Sequence, residues 1–417
     1  MTRNLADWLA YIEAQHPRSV DMGLDRVREV AARMQLGKPA RKTITVAGTN
    51  GKGSTVAFLE SIALAAGWSV GAYTSPHLLR YNERVRIAGN EAGDDALCES
   101  FAAVERVRGN VALTYFEFGT LAAFHRFAKE RIDVAVLEVG LGGRLDAVNV
   151  IDPDCAVLTS IGIDHVDFLG PTREDIGREK AGIFRPGRPA VIAEPDPPQA
   201  VLRAPGEKLL FGRDFGFHVQ AAQWTYYGPV GRRGGLAYPA LRGKIQLRNA
   251  AAALCALEAL RARLPVAMQD VRRGLAEVQI AGRFQVLPGR PQVILDVAHN
   301  AQAAQVLADN LAESGYARET IAVCGMLRDK DIGAVVRELA PRVTRWYLAS
   351  LPGPRGASAA QIAAHLQGDA HHHDSPASAF AAARAAAGEG DKIVVFGSFL
   401  TVADVMAWLK NNKTSIR

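Results

Sequence analysis

The stretch TITVAGTNGKGST, residues 43–55, decides the fold. TITVA (43–47) is rich in β-branched residues and reads as a strand. A glycine-rich turn comes next, and helical residues then run to about Ala66. Such a turn aims backbone N–H groups inward as a nest for phosphate oxygens. The helix N-terminus adds positive potential, and Lys52 adds a point charge. The spacing departs from the common phosphate loop. Two residues separate Gly48 from Gly51, and Gly53 separates Lys52 from Ser54. A glycine-rich turn without a ligand is the plainer alternative. The lysine and the strand-to-helix setting argue against it.

Outward from this turn, short apolar runs alternate with helical patterns. SVGAY (69–73), DVAVLEV (133–139), CAVLTSI (155–161) and PAVIAE (189–194) read as strands, and REDIGREKAGIF (173–184) as a helix. The continuous apolar runs predict strands covered on both faces, hence a doubly wound, mainly parallel sheet. Residues 206–248 carry scattered aromatics and GPVGRRGG, and read as a short β excursion. NAAAALCALEALRA (249–262) reads as a helix with Asn249 as its N-cap. LPGRPQ (287–292) is the best linker. A second series, VILDVA (293–298), IAVCGM (321–326), RWYLAS (345–350) and KIVVFGS (392–398), predicts a smaller Rossmann-like α/β domain without GxGxxG. The expected division is therefore a phosphate-loop domain at 1–287 and a second domain at 288–417. HHHD (371–374) reads as a surface loop.

Composition narrows the class. The chain has 417 residues, 48% apolar and 22% charged, which excludes a disordered or collagen-like protein. The net charge of +6 carries little weight for nucleic acid, and no nucleic-acid or membrane partner is expected. No apolar run approaches the ~20 residues of a membrane helix. Leu5, Trp8, Leu9 and Ile12 recur at helical spacing, so the N-terminus does not read as a signal peptide. The four cysteines are scattered without CxxC spacing, which suits a reducing cytoplasm.

Several loops at strand ends carry chemistry. Glu138 ends a strand before the glycine loop of LEVGLGGRLDAVN (137–149), where a Mg²⁺ ligand would sit; a solvated strand end is the alternative. In SIGIDHVDFLG (160–170), His165 between Asp164 and Asp167 suits a cation or a substrate, although a lone histidine is more often structural. Lys180 alone would be an ordinary exposed helix lysine. Asp296, His299 and Asn300 of LDVAHN (295–300) could contact a ligand, and Arg283 could reach nucleotide phosphates. In an open parallel sheet, residues beyond the strand carboxyl ends converge on one crevice. Lys52, Ser75, Glu138 and His165 would all reach it.

The ordered set GTNGKGS, TSPHLLRYNERVRI, TYFEFGTLAA, LEVGLGGRLDAVN, TSIGIDHVDFLG, IGREKAGIFR, LDVAHN and GMLRDKD resembles the bifunctional dihydrofolate synthase/folylpolyglutamate synthase family of the Mur ligase superfamily. The resemblance runs from about residue 5 to 408. It implies an ATP-dependent ligase that adds L-glutamate to dihydropteroate and to reduced folates through an acyl phosphate. It implies that Thr49, Asn50, Gly51, Lys52, Gly53 and Ser54 cradle ATP, with Asn249, Arg283 and Asp296 also on the nucleotide. Ser75 and Glu138 would hold one Mg²⁺, and Glu138 would bridge to a second that His165 helps hold. The lysine matching Lys180 is carbamylated in that family and becomes a carboxylate-like group near the metal. Asp21, Met22, Gly23 and Leu24, Thr114, Tyr115, Phe116 and Glu117, and Leu145, Asp146 and Ala147 match pterin-site positions. Core packing is the alternative for Tyr115 and Phe116. His299 and Ser398 are the weaker matches for glutamate handling, and closure of the two domains would complete the ATP site. A cytoplasmic monomer is expected. The alternative is a Mur-type ligase acting on a UDP-linked cell-wall precursor, against which TYFEFGT and DMGLDRV argue.

Overall fold

The structure is a computed structural model that describes residues 3–18 and 20–412. It separates into two compact units. One runs to Ala240 and takes up Gln246–Val278; the other comprises Leu241–Ile245 and the chain from Gln279 onward.

The first unit is built on eight strands: β1 (Lys42–Ala47), β2 (Val70–Tyr73), β3 (Val85–Ile87), β4 (Asn90–Glu91), β5 (Val134–Glu138), β6 (Cys155–Leu158), β7 (Pro189–Ile192) and β8 (Glu207–Leu210). Their order is β4-β3-β2-β5-β1-β6-β7-β8. All neighbours from β2 to β8 pair in parallel, and only the β2–β3 and β3–β4 pairings at one edge are antiparallel. The central strands are buried throughout because helices cover both faces, which is why their sequences are unbroken apolar runs. One core cluster gathers Tyr73 and Leu137 of the sheet with Phe101, Phe118, Phe124 and Phe127, and another gathers Leu158 and Ile192 of the sheet with Ile176 and Ile183. Parallel pairing puts the carboxyl ends of β2, β5, β1 and β6, adjacent in that order, along one rim.

The 206–248 excursion takes form as β8 and a separate antiparallel sheet of β9 (Gly216–Val219), β10 (Trp224–Gly228) and β11 (Gly231–Leu236). Buried Tyr226 of β10 donates its hydroxyl to Glu258 at 3.0 Å, and Arg233 of β11 donates Nε to the same carboxylate at 2.9 Å. Glu258 lies on the helix Lys244–Ala259. That helix starts five residues before Asn249, so Asn249 is an interior residue and not an N-cap. An asparagine before an alanine run has the look of a cap. Here its amide instead donates to Gln246 Oε1 at 3.0 Å, one turn earlier.

The second unit has strands β12 (Gln285–Leu287), β13 (Gln292–Leu295), β14 (Thr320–Cys324), β15 (Arg345–Ala349), β16 (His371–His373) and β17 (Lys392–Phe396), in the order β12-β13-β17-β14-β15-β16. LPGRPQ is therefore no linker. It turns the hairpin between antiparallel β12 and β13, and the boundary falls near residue 279. The proline and glycine content that suggested a linker is what a tight turn also demands. HHHD is likewise not a loop. His371–His373 form the edge strand β16, and the His371 ring stacks on Tyr347 of β15 at 4.5 Å. All four cysteines are free thiols. Among the described residues, no helix is long and apolar enough to cross a membrane.

Candidate active site

The 47–55 turn folds as a nest between β1 and the helix Lys52–Ala65. Gly51 holds φ +85°, a left-handed conformation that glycine adopts without strain. A Cβ there would also meet Asn249 Oδ1 at 2.7 Å, and one on Gly48 would lie 1.8 Å from Thr159 Oγ1. Residues just past β6 grip the nest. The Thr49 amide donates to Ser160 O at 2.8 Å and the Asn50 amide to Ser160 Oγ at 2.9 Å. Thr159 Oγ1 donates to Asn50 O at 2.7 Å. Lys52 folds its ammonium back onto the loop, donating to the carbonyls of Gly48 at 3.0 Å and Thr49 at 3.2 Å. The first-turn N–H groups of a helix lack intrahelical partners, so the nest and the lysine present positive potential to one place.

Around this nest the rim gathers charge. Glu138 ends β5 opposite Val46 of β1 and is only 4% exposed, so it is not a solvated strand end. Its Oε2 accepts from the Ser75 amide at 3.1 Å, which brings the loop after β2 onto the carboxylate. Asp146, in the loop after β5, is buried and accepts from the amides of Leu141 and Val148 at 2.9 and 3.0 Å. Burial lifts its pKa to about 6, against those hydrogen bonds and the charge of Lys52. His165 lies beyond β6 with φ +52° and is exposed; its amide donates to Asp164 Oδ1 at 2.9 Å.

Lys180 is not the exposed helix lysine that its sequence setting suggested. The helix Arg173–Ala181, capped by Thr172, turns Ile176, Gly177, Lys180 and Ala181 inward, and Lys180 is 4% exposed. Gly143 makes the approach feasible, since a Cβ on it would lie 2.8 Å from the carbonyls of Glu179 and Lys180. Burial, then repulsion by Lys52, lowers the Lys180 pKa to about 7, while Asp164 and Asp146 pull the other way. Lys52, Asp146 and Asp164 thus all lie within electrostatic reach of Lys180. Two helices and two loops contribute these four residues.

A divalent cation fits the donors available. Glu138 and Ser75, joined by a hydrogen bond, offer oxygen at one point, and buried Glu138 brings the negative charge that a cation complements; His165 carries a nitrogen donor on the exposed loop after β6. Among the described residues, no three His, Cys, Asp or Glu side chains form a cage of their own. Oxygen-rich sites completed by phosphate and water are the habit of Mg²⁺.

Beside this rim lie the segments matched to a pterin. Asp21, Met22 and Gly23 are half-buried, and Leu24 is buried at the start of the helix Asp25–Arg33. Thr114 and Glu117 form a capping box at the start of the helix Tyr115–Glu130. Tyr115 and Phe116 are half-buried and pack on the aromatic core. Phe116 lies 5.9 Å from Tyr73, and a Cβ on Gly140 would meet its ring at 2.7 Å. They therefore serve the core and still offer part of each ring outward. Leu145 and Ala147 flank Asp146, half-buried and buried respectively.

In the second unit, Asp296 comes just after β13 and accepts from the amides of Phe284 and Ala298, both at 2.8 Å. Burial raises its pKa, opposed first by Arg283. Arg283 also lies over the Phe399 ring at 5.1 Å. His299 Nδ1 is 2.9 Å from Val297 O. Ser398 is buried, and its hydroxyl caps the helix Phe399–Asn411 by accepting from the Thr401 amide at 3.0 Å.

Two sets of residues escaped the sequence reading. Thr159 and Ser160 hold the phosphate nest. Their signal was a polar pair at the end of an apolar strand. Arg26 donates to both Asp21 and Glu117, at 2.7 and 2.9 Å, and nothing in local sequence links positions 91 residues apart.

Known proteins share both the sequence and the fold. Residues 46–257 match the Mur ligase middle domain and residues 282–399 the Mur ligase glutamate ligase domain. The chain is 47% identical over 406 residues to the dihydrofolate synthase/folylpolyglutamate synthase of Escherichia coli K12, covering 96% of this chain and 94% of that one. A structure of E. coli FolC in complex with DHPP and ADP superposes with a TM-score of 0.95 at 46% identity over 99% of each chain. A bifunctional folylpolyglutamate synthase/dihydrofolate synthase with Mn, AMPPNP and L-glutamate bound superposes with a TM-score of 0.92 at 47% identity, over 98% of each chain. With such agreement in sequence over nearly its full length, on a fold whose strand ends gather a phosphate nest, a buried carboxylate and a buried lysine, the chain belongs to the dihydrofolate synthase/folylpolyglutamate synthase family of the Mur ligases.

Proposed function

We propose that the protein uses ATP to join the α-amine of L-glutamate to the carboxylate of dihydropteroate, forming dihydrofolate, and extends reduced folates with further glutamates in the same way. The observation that carries this is the meeting of Lys52, Glu138, Asp146 and Lys180 at one rim of a parallel sheet, beside the 21–24 and 114–117 segments. The relatives bound to ADP with DHPP, and to AMPPNP with Mn and L-glutamate, support the same substrate set.

In this reading the amides of Gly51–Ser54 and the Lys52 ammonium orient the terminal phosphates of ATP, with Thr49 and Asn50 shaping the turn that presents them. A carboxylate oxygen of the acceptor attacks the γ-phosphorus, the bond to the β-phosphate oxygen breaks, and ADP leaves. The acyl phosphate is then attacked at its carbonyl carbon by the neutral amine of glutamate. Inorganic phosphate departs and the nitrogen loses a proton. Two anions must approach in the first step, so the gathered cations lower the barrier by charge compensation. A divalent cation, taken as Mg²⁺ and held by Glu138 and Ser75 with His165 nearby, would neutralise phosphate charge when bound. Asn249 contacts the nucleotide from beside Gly51. Arg283 and Asp296 are assigned to the nucleotide, and His299 and Ser398 to glutamate. The cap bond of Ser398 makes its assignment the weakest.

Lys180 completes the reading as a carbamate. A lysine whose pKa lies near 7 has a neutral amine available to carbon dioxide, and the adduct replaces a buried cation by an anion able to face a metal. Asp146 and the exposed parts of Tyr115 and Phe116 are assigned to the pterin.

Purified protein with ATP, Mg²⁺, dihydropteroate and L-glutamate should release ADP and phosphate and form dihydrofolate. Phosphate release should require both glutamate and a pterin acceptor. Absence of glutamate-dependent release with dihydropteroate and with tetrahydrofolate would overturn the proposal.

A further inference from the structure

Arg26 bonds both pterin-matched segments, yet it belongs to none of the groups assigned to ATP, metal, pterin or glutamate. It sits at the second position of the helix Asp25–Arg33 and is about a quarter exposed, with a side-chain accessibility of 28%. Its guanidinium works in two directions. Nη1 donates to Asp21 Oδ2 at 2.7 Å, and Nη2 donates to the Asp21 carbonyl, also at 2.7 Å. Nη2 and Nε also reach the Glu117 carboxylate, at 2.9 Å to Oε1 and 3.2 Å to Oε2. This planar fork matches the carboxylate geometry in a way that a lysine ammonium cannot.

The other bonds of Glu117 sharpen the point. Its Oε2 also accepts from the Thr114 amide at 2.8 Å, while the Thr114 hydroxyl accepts from the Glu117 amide at 3.2 Å. Both oxygens of this buried carboxylate are thereby taken by protein donors. Asp21 is held on the other side as well, with His16 Nε2 at 3.4 Å and Arg18 Nη1 at 3.5 Å. Glu117 is thus poorly placed to bond a ligand directly. Tyr115, Phe116 and residues 21–23 are half-buried, so part of each remains accessible.

We infer that Arg26 is a positioning residue that clamps the 21–24 segment to the start of the helix Tyr115–Glu130 and so sets the width of the pterin pocket. Glu117 acts through this clamp rather than by touching the pterin. The inference rests on the proposed pterin site. A pocket held between two chain segments loses affinity when their spacing loosens, because the bound geometry must then be ordered at the ligand's expense.

The test compares wild type with Arg26→Lys, Arg26→Ala and Glu117→Gln for KM and kcat with each of dihydropteroate, ATP and L-glutamate, alongside thermal unfolding. Arg26→Lys keeps the charge and loses the fork. It should raise KM for dihydropteroate about tenfold, leaving kcat and KM for ATP within about twofold of wild type. Arg26→Ala should raise the same KM further, with Lys giving partial rescue. The double variant Arg26→Ala with Glu117→Gln should be no worse than Arg26→Ala alone, because both act through one contact. A lowered unfolding temperature with unchanged dihydropteroate KM in all variants would make Arg26 merely structural. Equal losses on ATP and dihydropteroate would also overturn the inference. A wild-type enzyme that forms no dihydrofolate would instead sink the substrate assignment itself, and a direct binding measurement with dihydropteroate would then read the clamp.

Discussion

Lys180 illustrates how much one residue's setting can reverse its chemistry. On an exposed helix face it would hold its proton at every physiological pH. Turned inward beside Lys52, it loses that proton near pH 7 instead of near 10.5. From about pH 7 toward 10.5 the unfolded chain holds a proton that the folded chain has lost, so the unmodified fold gains stability as pH rises across that window. The neutral amine grows over the same lower limb, so uptake of carbon dioxide should rise with pH through about 7. Isotope-labelled bicarbonate monitored by NMR should show a carbamate signal that strengthens from about pH 6 to about pH 8 and is absent in Lys180→Ala. A signal that survives Lys180→Ala, or a lysine that titrates at its ordinary value, would contradict the assignment.

At the scale of elements, the small sheet β9–β11 depends on few polar ties to the helix Lys244–Ala259. The Tyr226 hydroxyl and Arg233 Nε share the buried Glu258 carboxylate. Tyr226→Phe removes one donor and leaves a carboxylate oxygen short of a partner inside the protein. That should cost about 1–3 kcal/mol in urea unfolding. An unchanged midpoint and slope would show that the tie does not hold the sheet. The same elements show which parts of the fold the sequence made readable. β5 and β6 could be read from VAVLE and CAVL, because a strand covered on both faces must be apolar throughout. β3, β4 and β16 could not, because they are two or three residues long and carry arginine, asparagine, glutamate or histidine. Their strand character comes from pairing with a neighbour, which local pattern does not encode. The hairpin at 287–292 shared its proline and glycine with linkers, so its residues alone did not tell a turn inside a domain from a passage between two. The site divides in the same manner. The strand-end placement of Lys52, Ser75, Glu138 and His165 was legible because each follows or closes an apolar run that reads as a strand. The ties of Ser160 and Arg26 were not, since their partners lie 110 and 91 residues away in sequence.

For the whole molecule, the doubly wound sheet brings separated motifs to one rim. β2, β5, β1 and β6 are adjacent and parallel, so the loops leaving their carboxyl ends share one rim whatever their distance along the chain. In the proposed reaction that rim would bring two anions together and compensate their charge, and the acceptor carboxylate would become the nucleophile toward phosphorus. The most direct measurement uses dihydropteroate labelled with heavy oxygen in both carboxylate positions, turned over with unlabelled ATP and L-glutamate. One labelled oxygen should pass to the released phosphate, and the other should remain in the amide carbonyl of dihydrofolate. Unlabelled phosphate formed in step with labelled dihydrofolate would contradict attack by the carboxylate on ATP.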